Sequence, residues 1–217
     1  FTHFATAEDE DRSFLDRQLS CFNDIISALR RSGIEAQYYH AANSMAALTV
    51  TEARFDLVRT GIFMYGLTPV HGERARKLRR ELDITPALSL KTKVGFVKRC
   101  PGGTSIGYGA TYTTENDCTI ATIPIGYADG FPRSLSNRGE VLIRGKRFPV
   151  VGRVCMDECM ISTGDFEVDT EDEVIIIGMQ GDEEITAEDV AERAGTVAHE
   201  ILCGISRRVP RIYLSRT

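Results

Sequence analysis

The hydrophobic pattern of this chain changes near residue 84, and the change restricts the folds that are open to it. Before that point, one stretch repeats apolar residues at spacings of three and four, which predicts a helix with a single buried face. The residues of that stretch are Leu15, Leu19, Phe22, Ile25, Ile26 and Leu29. After that point, short runs alternate apolar and polar residues, as half-buried strands do. We therefore expect two differently built parts.

In the first part, three short segments have the composition of strands, and helical segments separate them. Gly33 follows the amphipathic stretch as a helix stop, and Asn43 and Ser44 lead into a short second helix. The predicted strands are 1–5, 37–40 and 55–62. Strands that alternate with helices indicate βαβ units and a parallel sheet.

The second part consists of closely spaced strands. Gly145 and Lys146 are expected to form the two-residue turn of a hairpin, and Thr186 with Asp189 can cap a short helix. The strands expected here are 88–96, 119–124, 140–144, 147–151, 159–162 and 173–177. We predict an α/β part at 1–83 followed by a mainly β part at 84–217.

Composition excludes several classes of function. The 26 basic and 31 acidic residues give a net charge of −5, so a basic field for nucleic acid is absent. No apolar run approaches the ~20 residues of a membrane helix, and no secretory signal peptide is visible. Six cysteines are too few for a disulfide scaffold, so we expect reduced thiols in a cytoplasmic protein. The chain has no initiator Met and opens inside an apolar motif, so we expect a piece of a longer protein.

Tyr108 is the first candidate for chemistry because it lies between Gly107 and Gly109. Glycines permit unusual backbone angles and the close approach of a ligand, and a phenol acts as a base when its neighbours draw off the proton. The same residues also suit a hairpin loop with exposed tyrosines. Tyr127 and Asp129 follow a strand and have the same two interpretations, as site residues or as turn residues.

The apolar run at 151–160 is expected to place Met156 and Asp157 near a buried region. Cys155 and Cys159 lie within it, but no second cysteine pair or histidine accompanies them as a metal site requires. Positions four apart share a face of a strand, so we expect two buried thiols and no metal site.

In the first part, His3 and His40 end two predicted strands, and Arg59 lies within the third. Residues at the carboxyl ends of strands form the site of a (β/α)8 barrel. The alternative is that both histidines are structural. Backbone N–H groups after the third strand, together with a hydroxyl, would suit a phosphate. These donors belong to Gly61, Ile62 and Ser44.

Seven short runs, in order and at plausible spacings, resemble alanine racemase, a family of fold-type III pyridoxal-phosphate enzymes. The resemblance extends over essentially the whole chain. The runs are Thr-His-Phe-Ala-Thr-Ala at 2–7, Ala-Asn-Ser at 42–44, Val-Arg-Thr-Gly-Ile-Phe-Met-Tyr-Gly at 58–66, Tyr-Gly-Ala-Thr-Tyr at 108–112, Ile-Pro-Ile-Gly-Tyr-Ala-Asp-Gly at 123–130, Arg-Val-Cys-Met-Asp at 153–157 and Arg-Val-Pro-Arg-Ile at 208–212.

The resemblance implies a fold: the C-terminal strands and helices of a (β/α)8 barrel, followed by a mainly-β, barrel-like C-terminal domain. It implies pyridoxal 5′-phosphate as cofactor, and the interconversion of L-alanine and D-alanine for peptidoglycan in the cytoplasm. It also implies a homodimer whose active sites are shared across subunits, without contact of this segment with nucleic acid, metal or membrane.

The resemblance also implies roles for single residues. Tyr108 matches the base that exchanges the α-proton on the L-face, and Arg59 matches the arginine that faces the pyridine nitrogen. Met156 matches a residue whose backbone N–H binds the substrate carboxylate, and Tyr127 matches a tyrosine at the pocket entrance. The residues matching the phosphate contacts are Ser44, Gly61 and Ile62. His3 and His40 match histidines of the hydrogen-bond chain that links this arginine to the tyrosine.

Two features depart from the family pattern. The family's Schiff-base lysine lies in an N-terminal Val-Lys-Ala-(Asn/Asp)-Ala-Tyr-Gly motif, and none of the lysines at 77, 91, 93, 98 and 146 has that context. We therefore expect the chain to be inactive by itself. Arg207 stands where some members have a tyrosine near the phosphate. Three alternatives stay open: a serine or broad-specificity racemase, a non-catalytic truncated binding or assembly module, and a metal-binding β domain.

Overall fold

The computed structural model describes residues 1–214, and the chain divides into two compact units between Thr85 and Pro86. Each unit has buried apolar clusters of its own. Within the described range, no helix is long and apolar enough to cross a membrane.

The predicted amphipathic stretch forms the long helix of the first unit, α1 (Ser13–Arg31), which confirms that prediction. Its buried residues are Leu15, Leu19, Phe22 and Ile26. Ile25, which the sequence also assigned to this face, is exposed. It lies about 100° around the helix axis from Ile26, and this rotation carries its side chain off the buried stripe.

Two shorter helices complete the first unit. α2 (Ser44–Thr49) begins where the side chain of Asn43 accepts a hydrogen bond from the N–H of Ala46 (3.0 Å). α3 (Gly72–Leu82) follows later in the chain. Single turns of 3-10 helix cover Thr51–Ala53 and Gly61–Tyr65.

The three segments predicted as strands in this unit do not form strands. They run side by side and share isolated backbone hydrogen bonds, such as Thr2 N–H to His40 O (3.2 Å) and Arg59 N–H to Ala42 O (3.0 Å). A ladder needs successive bonds between neighbours, and these segments supply single ones. The third segment also runs into the 3-10 helix that begins at Gly61. The strand prediction is therefore wrong here.

The second unit is built from short antiparallel strands, as the alternating pattern predicts. The single strand predicted at 88–96 is wrong, however, because the chain bends at Val94 and Gly95 and this stretch contributes to two separate strands. The strands are β1 (Leu90–Lys93), β2 (Phe96–Cys100), β3 (Ser105–Ile106), β4 (Tyr112–Thr113), β5 (Cys118–Ile123), β6 (Glu140–Ile143), β7 (Lys146–Val151), β8 (Cys159–Gly164), β9 (Glu173–Gln180) and β10 (Glu183–Ile185). β3 and β4 form a separate hairpin. The others form one sheet in the order β1-β9-β6-β7-β8-β5-β2, with β10 beside β9.

This sheet closes on itself because its two ends are one continuous piece of chain. β1 and β2 lie at opposite ends of the strand order, and only Val94 and Gly95 separate them. Val94 N–H donates to Asp172 O (2.9 Å), next to β9, whereas Gly95 N–H donates to Thr122 O (2.9 Å) on β5. The bend thus carries the chain from one end of the sheet to the other and makes a barrel.

Two ion pairs flank the seam between β1 and β9. Lys91 Nζ lies 3.1 Å from the carboxylate of Glu173, and Lys93 Nζ lies 2.8 Å from that of Glu171. All four side chains are about half exposed or more. Exposed pairs of this kind add at most about 1 kcal/mol each, so the seam depends on its backbone hydrogen bonds.

The hairpin between β6 and β7 turns one residue earlier than predicted. Ile143 pairs with Lys146, so the turn residues are Arg144 and Gly145, with φ values of 50° and 73°. Two successive positive φ values are typical of a type I′ turn, whose twist matches that of the strands. The side chain of Arg144 forms ion pairs with Asp169 (2.7 Å) and Asp172 (2.9 Å).

Two helices follow the sheet. α4 (Ala187–Ala194) begins with the predicted cap: the Thr186 hydroxyl accepts the N–H of Asp189, and the Asp189 carboxylate accepts the N–H of Thr186 (both 3.0 Å). α5 (Ala198–Gly204) then leads into the last described segment, at 205–214.

Candidate functional site

Arg59 is the centre of a polar cluster in the first unit. Its guanidinium donates to the backbone carbonyls of Thr2 (3.0 Å) and Ala41 (3.1 Å). It also lies 2.5 Å from Nδ1 of His40 and 3.3 Å from Nδ1 of His3. Because a guanidinium only donates, Nδ1 of His40 accepts, and the ring proton is on Nε2. The structure therefore brings together the arginine and both histidines that the sequence singled out.

The positive charge of Arg59 has no carboxylate partner within residues 1–214; its other neighbour is the ring of Phe1, 5.5 Å away. Loss of solvation and the charge of Arg59 both lower the pKa of His40 below its ordinary value. The cluster thus combines a fixed cation with an imidazole whose charged form is disfavoured.

The predicted phosphate contacts also lie together. Ser44 is the buried first residue of α2, and a Cβ added to Gly61 would lie 3.9 Å from its hydroxyl oxygen. Gly61 and Ile62 begin a 3-10 helix, where the first N–H groups have no acceptor within the helix. A hydroxyl beside free N–H groups is a set of donors that fits a phosphate.

An open pocket of about 760 Å³ lies in the second unit. Tyr108 reaches it from the tip of the β3–β4 hairpin, Tyr127 from the loop after β5, and Met156 from the turn before β8. The structure thus brings these three predicted residues together. The lining includes Arg133, Arg153, Cys155 and Asp157.

The glycines on either side of Tyr108 have left-handed backbone angles, with φ of 72° at Gly107 and 74° at Gly109. A Cβ added to Gly109 would lie 3.3 Å from Nε of Arg153, so a guanidinium packs against the main chain next to the tyrosine. Tyr108 itself is 74% exposed. The motif has two interpretations, as part of a site or as a hairpin loop with exposed tyrosines. Tyr108 has both features, because it lies at an exposed hairpin tip and also lines the pocket.

Two arginines of the pocket were not predicted as site residues. Arg133 and Arg153 both line it, and Nε of Arg153 is buried without a hydrogen-bond partner in the described part of the chain. Two guanidinium groups beside two phenols favour an anionic ligand. Arg153 lies in the run that also contains Met156, but nothing in that run indicates which of its side chains turn into a pocket.

The run at 151–160 matches its prediction only in part. Cys159 is buried, and burial raises the pKa of its thiol. Cys155 is partly exposed, and Met156 and Asp157 are exposed. The reason is that the chain leaves the sheet after β7 and turns, with Cys155 N–H donating to Glu158 O (2.9 Å), before β8 begins. Among residues 1–214, no three potential metal ligands cluster.

Comparison with protein families identifies two matching domains. Residues 1–69 match the alanine racemase N-terminal domain, and residues 87–213 match the alanine racemase C-terminal domain. The alanine racemase of Carboxydothermus hydrogenoformans is 48% identical over 216 residues, which are 99% of this chain and 57% of that protein.

Solved structures give the same result. The alanine racemase of Bacillus anthracis with bound L-Ala-P matches with a TM-score of 0.89 and 45% identity, over 98% of this chain and 54% of that one. The alanine racemase of Bartonella henselae with covalently bound pyridoxal phosphate matches with a TM-score of 0.83 and 30% identity, over 98% and 55%.

The chain spans about half the length of the curated relatives it matches. The likenesses confirm the predicted fold, part of a (β/α)8 barrel followed by a mainly-β C-terminal domain. They account for both units described above. The chain belongs to the alanine racemase family.

Proposed function

We propose that the protein containing this chain interconverts L-alanine and D-alanine with pyridoxal phosphate, as a homodimer whose active sites are shared. Family membership supports the reaction. The observation that carries the proposal is the Arg59 cluster, where a cation that has no carboxylate partner among residues 1–214 is fixed by two carbonyls and two imidazoles. Such a group is suited to face a basic ring nitrogen.

The residues of the first unit fit the cofactor. Ser44, Gly61 and Ile62 would hold the phosphate through one hydroxyl and two N–H groups. Arg59 would donate to the pyridine nitrogen and, because an arginine keeps its protons, would leave that nitrogen unprotonated. Bound pyridoxal phosphate supplies the electron sink that makes the α-proton of an amino acid removable.

The residues of the second unit would bind the amino acid and move its proton. Tyr108, in the partner's active site, would take and return the α-proton on the L-face. The backbone N–H of Met156, which has no acceptor within residues 1–214, would bind the substrate carboxylate, and Tyr127 would line the entrance.

The 217 residues by themselves are proposed to be inactive. In the first unit the only lysine is Lys77, which is exposed on α3 and paired with Glu81 (3.8 Å). No lysine is therefore among the hydrogen-bond partners of Arg59 within residues 1–214. This observation favours the non-catalytic module as a second candidate for the isolated chain. Arg207, exposed in the segment after α5, keeps a serine or broad-specificity racemase as the alternative substrate class.

Substitution of Tyr108 in the full-length protein tests the proposal. Because removal of a general base costs about 10²–10⁴-fold in rate, Tyr108→Phe should lower racemisation of L-alanine by that factor while pyridoxal absorbance is retained. The rate at which L-alanine exchanges its α-proton with deuterated solvent should fall by a similar factor, because this exchange measures the proton transfer at Tyr108 alone. Tyr213→Phe, at a fully exposed tyrosine, is the matched control.

Unchanged racemisation by the Tyr108→Phe variant would contradict the assigned base. For the isolated chain, adding the lysine-bearing segment of the protein in trans should restore activity. Racemase activity of the 217 residues without that segment would contradict the proposal that they are inactive by themselves. Failure of the full-length protein to racemise any amino acid would leave the non-catalytic candidate.

A further inference from the structure

Three segments meet beside the pocket of the second unit, and together we call them the junction: residues 126–130, 155–157 and 204–208. The first segment carries Tyr127 and the second carries Met156. Tyr127 N–H donates to Cys155 O (3.1 Å), and Ala128 N–H donates to Met156 O (3.0 Å). The third segment joins through Ser206 N–H, which donates to the carbonyl of residue 129 (3.0 Å). These hydrogen bonds fix the positions of the two pocket-lining segments relative to each other.

At the junction the main chains touch without intervening side chains. A Cβ added to Gly126 would lie 2.4 Å from the carbonyl oxygens of Cys155 and Met156. One added to Gly130 would lie 2.3 Å from the carbonyl oxygen of Gly204. Close-packed backbones have little room to slide, so a shift of one segment moves the others.

Arg208 links the carboxylates of the two pocket-lining segments. Its Nη2 lies 2.6 Å from Oδ1 of Asp157, and its Nε lies 3.4 Å from Oδ1 of Asp129. The second oxygen of Asp129 accepts the N–H of Gly126 (3.0 Å). Within residues 1–214, Arg208 is the cation that pairs with either carboxylate. It does not itself line the pocket.

We propose that Arg208 is a positioning residue for substrate binding: by bridging Asp129 and Asp157 it fixes the Met156 N–H and the Tyr127 side chain at the pocket. The proposal rests on the proposed function, in which the Met156 N–H binds the substrate carboxylate and Tyr127 lines the pocket entrance. Without Arg208, two carboxylates on neighbouring segments would face each other unpaired, and like charges would push the segments apart.

The expected effect of Arg208 comes from the position of the binding groups and not from the energy of its ion pairs alone. Arg208 and Asp157 are about half exposed, and such pairs contribute little to folding stability. Misplacement of a binding group by about 1 Å, in contrast, can cost up to about 100-fold in rate. We therefore expect a functional effect that exceeds the effect on stability.

The test compares Arg208→Ala with Arg208→Lys in the full-length holoenzyme. Loss of the bridge should raise KM for alanine about tenfold and change kcat less than threefold, because binding of the carboxylate is affected and the base is not. Lysine keeps the charge and should recover part of the loss. Arg99→Ala removes an arginine of equal exposure from its ion pair with Asp165 (2.8 Å), and should leave both constants unchanged.

Hydrogen exchange of the same variants gives a readout that does not need activity. In Arg208→Ala, amides of 124–131 and 153–158 should exchange faster, while the rest of the unit keeps wild-type rates. Wild-type exchange in both segments, or wild-type KM, would overturn the inference, as would an equal acceleration across the whole unit. If the wild-type protein does not racemise alanine, the proposed function fails, and the exchange experiment alone decides whether Arg208 holds the segments.

Discussion

His40 shows how the neighbours of a single residue decide its chemistry. Its Nδ1 accepts from Arg59, and loss of solvation together with that charge lowers its pKa. In the unfolded chain the imidazole has its ordinary pKa of 6.5. As the pH falls through that value, the unfolded state binds a proton before the folded state does, so the folded state loses stability.

We therefore expect the free energy of unfolding to fall between pH 7.5 and pH 5.5, and to fall less in His40→Gln, which has no proton to take up. Urea unfolding at three pH values measures both slopes. Identical slopes for the variant and the wild type would show that His40 is not responsible. His199→Gln, a substitution in α5, is the control for a general effect of losing an imidazole.

The reactivity of each cysteine also depends on its surroundings, here on how far its thiol is buried. Cys21 and Cys203 are exposed, whereas Cys159 is fully buried and its pKa is raised by that burial. Because the thiolate is the reactive form, iodoacetamide at neutral pH should alkylate Cys21 and Cys203 and spare Cys159 until the protein is unfolded. Peptide mass mapping before and after denaturation measures this. Native alkylation of Cys159 would contradict the burial.

The sequence could indicate some site residues but not others, and the difference is physical. Tyr108 is marked by the glycines next to it, and Arg59 by its place after two histidine-bearing segments. Arg208 begins one of the family runs, but its role is not indicated, because its partner Asp157 lies 51 residues away in the chain. Arg153 also begins such a run, but its place in the pocket depends on the fold of the hairpin that carries Gly109.

At the scale of elements, prediction succeeded where each element carries its own periodic pattern. α1 buries the predicted face apart from Ile25 and Leu29, and β8 alternates buried and half-buried residues along its length. The extended segments of the first unit were read as strands because they are apolar, yet apolarity alone does not create a ladder. The β6–β7 turn was placed one residue late because Arg144, a residue without an intrinsic preference for positive φ, occupies a turn position.

The loop after β5 gives a prediction at this scale. A Cβ at Gly126 would overlap two carbonyl oxygens, whereas one at Gly95 would meet its nearest atom at 3.5 Å. Gly126→Ala should therefore destabilise the protein by about 1–3 kcal/mol, the usual cost of overpacking, and Gly95→Ala should cost less. Chemical denaturation of both variants measures the difference. Equal stabilities would contradict the close contact at the junction.

At the scale of the molecule, the two units differ in how their backbones are satisfied. Strands β5, β6 and β9 are each paired on both sides. The extended segments at 1–5 and 37–42 make isolated hydrogen bonds. Amides in the three strands should exchange with solvent far more slowly than those in the extended segments, because opening a core strand approaches global unfolding. Equal protection by exchange mass spectrometry would show that the segments are secured by contacts outside residues 1–214.

The order of the strands in the second unit could not be predicted from the sequence either. Alternation predicts strands at 88–96 and 173–177, but nothing local indicates that these two stretches are neighbours. That pairing follows from closing the sheet through Val94 and Gly95, which is a property of the whole barrel.

The β1–β9 seam has a consequence for synthesis. At about 5–20 residues per second on the ribosome, β1 emerges roughly 4–17 seconds before its partner strand exists. Contacts between such distant parts of a chain also form slowly, because a long loop has to close first. During that interval the nascent strand Leu-Lys-Thr-Lys is an open edge, and charged lysines on an open edge discourage pairing with other chains. We therefore expect Lys91 and Lys93 to discourage such pairing before they take part in any native ion pair.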